Sequence, residues 1–254
     1  MNPAASLPNP DQVSQRLLKK VEIHDPPVNL QRVLSIWKNL NVVEEDLDGS
    51  GYLLPLGRLG AEIIVNERDP EERRRFTVAH ELGHWVLGLI CEKKFGEFKQ
   101  PPGVPRATLE KWCDTFATNL LMPAPLVSSW LPPRDQPLLV DAMMRASDAF
   151  GVSEEAFFFR VWELERIQVA RLRPDTQRRS GNSLIIDRNY ADEKAKKALL
   201  GVLSTQHAEE QLQIGGSMIC FTLRRPDGLI SVSGRKSAGG GVLLAVAWPK
   251  AELP

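Results

Sequence analysis

Apolar residues recur at helical spacing early in the chain: Val13, Leu17, Leu18 and Val21 line one face, ending before Asp25-Pro26-Pro27, where proline disfavours helical backbone in the residue before it. Leu30, Val33, Leu34 and Trp37 repeat the period, with Asn29 placed to cap a second helix. The pattern then changes. After the turn residues Asp48-Gly49-Ser50-Gly51, segments 52–56 and 61–66 read as two strands joined through Gly57-Arg58-Leu59-Gly60. Asp69, Pro70 and Glu72 together signal a helix start, with Asp69 as cap and Glu72 at capping-box spacing, and Arg75, Val78, Leu82 and Val86 continue that helix to about residue 89. A Pro/Gly-rich loop at 100–105 leads to another helix over 107–121, stopped at Met122-Pro123.

The proline-rich stretch 124–137 reads as a linker. Beyond it, 138–150 and 154–167, separated by Gly151-Val152-Ser153, have helix–turn–helix form with Ser153 as cap. The last segment differs in texture: strands are predicted at 183–186, 217–223, 229–233 and 242–248, and a helix at 191–203. The chain therefore reads as α+β, with 1–10 disordered, a mixed domain over 11–131, a helical region over 132–175 and a small α/β domain over 176–254.

Composition narrows the function classes. Lys+Arg and Asp+Glu both number 32, so no net field draws the chain to nucleic acid or an anionic membrane. Three cysteines without CxxC spacing suit a reducing compartment better than a disulfide framework. The first residues lack the basic and apolar regions of a signal peptide, and no apolar run approaches membrane-spanning length. The expectation is a cytoplasmic protein. Arg73-Arg74-Arg75 and Arg178-Arg179 read as solvated surface.

The chemistry concentrates at Val78-Ala79-His80-Glu81-Leu82-Gly83-His84-Trp85, which holds two of the four histidines. On a helix, residues four apart share a face, so His80 and His84 can aim both imidazoles at one ion. Glu81 projects beside that point, where it can take a proton from an attacking water. Gly83 removes a side chain there, which would let a substrate backbone approach. A second helix repeats the spacing with acids. Glu110 is placed to be the third ligand, leaving one position open, and Asp114 to accept the free ring N–H of a ligating histidine. Cys113, between them, reads as a buried small hydrophobe rather than a ligand; a thiolate on the metal would lower its Lewis acidity and oppose catalysis. Zn2+ is the expected cofactor, with Mn2+ also compatible. The strand over 61–66 is a candidate edge for an extended peptide.

Arg75 to His84, with Glu110-x-x-Cys113-Asp114-x-Phe116-Ala117-x-x-Leu120-Leu121-Met122-Pro123 and the strand Ile63-Ile64-Val65-Asn66, resembles the ImmA/IrrE family of metallopeptidases. The resemblance covers about residues 25–130, and Cys113 stands where that family usually has Ala. It implies a gluzincin-like peptidase domain with a small sheet and an active-site helix, His80, His84 and Glu110 on zinc, and Glu81 as base. It also implies a helix–turn–helix repressor as the protein substrate, whose cleavage derepresses stress-response or mobile-element genes. The extra C-terminal segment is similar to the longer IrrE-type branch. Two alternatives stay open: a non-catalytic zinc protein that sequesters a repressor, and a DNA-binding regulator with a vestigial peptidase domain. Against the second, the candidate recognition helix holds Glu154, Glu155, Glu163 and Glu165 against Arg160 and Arg166, while Phe157, Phe158, Phe159 and Trp162 look like packing groups.

Overall fold

The computed structural model describes residues 7–95, 98–131 and 140–164, and beyond them five strands between residues 168 and 247. The chain divides into two compact units: residues 1–127 with 147–153, and residues 128–146 with 154–254.

In the first unit, the order of elements is α1 (Pro10–Lys20), α2 (Leu30–Leu34), β1 (Leu40–Glu45), β2 (Gly51–Pro55), β3 (Ala61–Asn66), α3 (Glu71–Phe95) and α4 (Arg106–Leu121), followed by the start of α5 (Ala124–Trp130). Both early caps form. The Asn9 side chain accepts the Gln12 N–H at 3.1 Å and that of Asn29 accepts the Arg32 N–H at 2.9 Å. At α3 the predicted cap differs: Asp69 sits 3.3 Å from Arg73 instead of bonding the first turn. The expectation of disorder through residue 10 also needs correction. Pro10 opens α1, and the Pro8 carbonyl accepts the Trp112 indole N–H at 2.6 Å, fastening this end of the chain to α4. Segment 124–130, expected as linker, forms α5; Pro125 falls in its first turn, where a missing N–H costs no helical bond.

Three strands form a sheet in the order β1-β3-β2, with β1 parallel and β2 antiparallel to β3. The strand β1 was not expected from its sequence. The central strand is buried on both faces, with Ile63, Ile64 and Val65 all at 3% exposure or less. It is paired on both sides, so it offers no edge to a peptide; β2 does. Helix α3 packs on β2 and β3 and, on its other side, on α4. Gly51 permits the first of these approaches, since a Cβ there would collide with the Ile64 carbonyl and the Thr77 methyl. The Asn66 side chain donates to the carbonyls of Leu47 and Gly49, both at 2.8 Å, and so holds the turn between β1 and β2.

The second unit contains α6 over residues 140–146, α7 (Glu154–Glu163) and an antiparallel sheet ordered β5-β4-β8-β7-β6: β4 (Gln168–Pro174), β5 (Leu184–Ile186), β6 (Met218–Arg225), β7 (Gly228–Lys236) and β8 (Val242–Ala247). The whole of α6 is Val140–Phe150, joined to α7 through Gly151 at φ +62°. The second helix ends at Glu163, short of the expected 167, and 168–174 is strand. The predicted helix over 191–203 lies outside the described residues, as does Arg166. Phe157 and Phe158 are buried as expected, whereas Trp162 is 37% exposed.

Arg75 departs from the expected solvated surface. Its guanidinium Nε donates to the Gly151 carbonyl at 3.1 Å and Nη2 to the Val28 carbonyl at 3.0 Å, tying α3 to two chain segments far away in sequence. Hydrogen bonds to a charged group contribute about 1.5–3 kcal/mol each; discounted because both are only part-buried, their loss in Arg75→Ala should destabilise the fold by about 2–4 kcal/mol. The urea midpoint should fall, and Arg75→Lys should recover only part, because an ammonium lacks the planar fork that serves two carbonyls. An unchanged midpoint in Arg75→Ala would mean that these bonds are replaced by water at no cost.

Candidate metal centre

Helix α3 presents His80 and His84 one turn apart, with ring centroids 5.1 Å from each other and both side chains about 85% buried. From α4, Glu110 reaches across: its Oε2 lies 3.3 Å from His80 Nε2 and 3.6 Å from His84 Nε2. Two donors held at about 2.0–2.2 Å by a tetrahedral zinc ion stand about 3.3–3.6 Å apart. The observed separations match that spacing. Asp114, one turn further along α4, places Oδ1 2.8 Å from His80 Nδ1. A carboxylate only accepts, so Nδ1 donates its proton to Asp114, while Nε2 faces the Glu110 carboxylate across a gap that a proton or a cation would occupy. Glu81 lies beside the pair and accepts the backbone N–H of Leu53 from β2. The structure thus brings together all five residues singled out in the sequence.

The surroundings set the charge states. Burial opposes the imidazolium form of His80, but the Asp114 hydrogen bond and the charges of Glu81 and Asp114 outweigh it, and its pKa lies above the ordinary histidine value. Burial raises the pKa of Glu81, and the pull of His84, His80 and the Leu53 amide does not overcome it. Burial pushes Glu110 the same way, yet the Arg106 hydrogen bond at 3.3 Å and the two imidazoles prevail, so Glu110 lies below the usual range. One carboxylate of the cluster is thereby held ionised.

Cys113 has a larger part here than its sequence suggested. It is fully buried, as expected, but its sulfur and one nitrogen each of His80 and His84 lie within 4.8 Å of one another. Burial, with the charges of Glu110, Glu81 and Asp114 behind it, pushes the thiol pKa far up; a cation beside the sulfur would reverse that balance. The sulfur rests on Gly83. A Cβ on that glycine would stand 3.2 Å from Cys113 Sγ, 3.2 Å from Phe116 Cδ1 and 3.3 Å from Cys113 Cα. Gly83 therefore serves the close packing of α3 on α4, which corrects the expectation that it clears room for a substrate.

Of the residues whose chemistry suits donation to an oxyanion, Tyr52 is 45% exposed on β2 next to Leu53, His24 is exposed between α1 and α2, and His207 lies outside the described residues. A separate cleft of about 450 Å3, walled by Val28, Leu34, Val42, Glu44 and Arg74 among others, contains none of the five site residues.

A helix-borne pair of imidazoles meeting a carboxylate from the next helix, backed by a three-stranded sheet, has the build of a peptidase-type metal domain. Comparison with known families agrees: residues 38–161 match the model of Peptidase_M78, the IrrE N-terminal-like domain. Among solved structures, a Mycobacterium tuberculosis transcriptional regulator superposes with a TM-score of 0.54 at 13% identity, over 94% of this chain and 75% of that one. No curated protein matches the chain significantly.

The raised pKa of His80 has a definite sign. A folded value above the unfolded value of about 6.5 means that this histidine's contribution to stability is complete below that pH and is lost as pH rises through the folded pKa. In chelator-treated protein, an NMR titration should place the His80 midpoint above 6.5, and Asp114→Ala should lower it. A midpoint that ignores Asp114 would show that the 2.8 Å bond does not form in solution.

Proposed function

We propose that the chain is a zinc-dependent endopeptidase that cuts a helix–turn–helix transcriptional repressor at one site and so releases stress-response or mobile-element genes. The observation that carries this reading is that one Glu110 oxygen lies 3.3 Å from His80 Nε2 and 3.6 Å from His84 Nε2, the spacing of two donors that share a zinc ion. These three residues hold the metal, and Asp114 orients His80. Bound there, zinc would contribute Lewis acidity; Mn2+ would fit the same donors, and availability decides between them. Glu81 takes a proton from the attacking water and hands it to the departing amine, a task helped by a carboxylate pKa raised toward working pH.

The substrate lies along β2. That strand is the sheet edge nearest Glu81, and it exposes Tyr52 and Leu54 for contact with an extended peptide, while its backbone offers main-chain pairing. The choice of a repressor as substrate is supported by the IrrE N-terminal-like domain and by the regulator among the structural neighbours. A cytoplasmic location follows from such a substrate. The chain does not act by reading DNA through α7, where Arg160 is 7% exposed and bonded to Glu163 at 3.1 Å, leaving an acidic face toward any phosphate. One observation favours a second reading, that of a non-catalytic zinc protein which sequesters a repressor: Cys113 offers a fourth protein donor, as closed structural sites do.

Incubating purified protein and zinc with a candidate repressor separates the two. Cleavage that stops on chelation supports the peptidase; binding without cleavage supports the second reading. Glu81→Gln should retain the metal and lower cleavage by roughly 10²–10⁴-fold, the usual range for loss of a general base. Full activity in that variant would remove Glu81 from the mechanism.

A further inference from the structure

Two observations place Cys113 in the metal centre itself. Its sulfur forms a compact triangle with the two imidazoles, all three donor atoms lying within 4.8 Å of one another. It also occupies the space that a side chain at Gly83 would fill. Residue 83 sits three positions after His80 and one before His84, so a sulfur seated on it lies against the same turn of α3 that carries both rings. Glu110 and Cys113 are three apart on α4, which puts carboxylate and sulfur on one face of that helix. In a tetrahedral site, a sulfur at about 2.3 Å and an imidazole nitrogen at about 2.05 Å stand about 3.6 Å apart. Glu110 lies outside that triangle, so gathering all four donors on one ion takes side-chain movement of the sulfur and the carboxylate.

We infer that Cys113 is a fourth protein ligand, which closes the metal centre in a resting state as His80, His84, Glu110 and Cys113 and must leave before a peptide carbonyl or water can enter. This rests on the reading of His80, His84 and Glu110 as metal ligands. It reconciles the two readings of the function: the four-donor state is the latent form, and the three-donor state is the active one. Binding requires only that the thiol proton pass to solvent, and release returns it. Among soft and borderline donors, a thiolate is the one that zinc and cobalt share with imidazole, so the competition is chemically natural.

The test uses the full chain, stripped with a chelator under reducing conditions and loaded with one equivalent of Co2+. The wild type should show visible d–d bands of a four-coordinate ion together with a sulfur-to-cobalt charge-transfer band in the near ultraviolet. Cys113→Ala should lose the near-ultraviolet band and keep visible cobalt bands, because three ligands remain; alanine is small enough for the space at Gly83. A Cys91→Ala control should keep both. Visible bands without the charge-transfer band in the wild type would overturn the role of Cys113 and leave the three-ligand site standing. A charge-transfer band that survives in Cys113→Ala would overturn it equally, by assigning the sulfur elsewhere. Absence of any visible cobalt band in the wild type would overturn both this inference and the metal-centre reading beneath it.

Discussion

Everything at the site depends on how closely α3 can lie against α4. The imidazoles of His80 and His84 need no more than one regular helix to share a face, but Glu110 comes from the next helix, and its oxygen must arrive within a few tenths of an ångström of a fixed distance. Gly83 makes that possible. With no Cβ at this position, Phe116 and Cys113 settle directly on the backbone of α3, and the α4 backbone stops at the separation the donors require. Stacked Trp112 and Phe116, with ring centroids 5.4 Å apart, brace the same helix from behind, and the Trp112 bond to Pro8 fixes it against the start of the chain. Packing sets the geometry, and the geometry sets the chemistry.

The electrostatics follow from that contact. Buried imidazoles resist protonation and buried carboxylates resist ionisation, so a cluster of both in one half-buried pocket is unfavourable unless each charge finds a partner. Here the partners are mutual: Asp114 serves His80, and the two histidines serve Glu110. Glu81 is left with the weakest compensation, a single amide from β2 and the neighbouring rings, and its pKa rises accordingly. A raised carboxylate pKa suits the general-base role proposed for Glu81. The same sheet edge that supplies the amide is where we propose a peptide lies.

Much of this was legible in the sequence because it is helical. Residues 80 and 84, and 110 and 114, each share a face by local periodicity alone; Pro70 signals the start of α3 and Pro123 the end of α4, whereas α3 runs to Phe95, past the expected end near 89. What was not legible depends on tertiary partners. The strand β1 has one fully buried residue, Leu40, and ends in two glutamates, so it shows neither alternation nor an apolar run; it exists because β3 pairs with it. Which strand forms the edge is likewise a property of the assembled sheet: β3, the expected edge, is central, and β1 and β2 flank it. Arg75 looked like one of three surface arginines until two distant carbonyls came within its reach. Cys113 was read correctly as buried, but burial alone does not say what lies next to the sulfur.

The central claim is that His80, His84 and Glu110 converge on one ion. Anomalous scattering from crystals of the zinc-loaded protein tests it most directly. The account predicts a single strong peak at the zinc edge, within about 2.2 Å of Nε2 of both histidines and of a carboxylate oxygen of Glu110. A zinc ion bound by the two histidines with Glu110 turned away, or no zinc between α3 and α4, would contradict it.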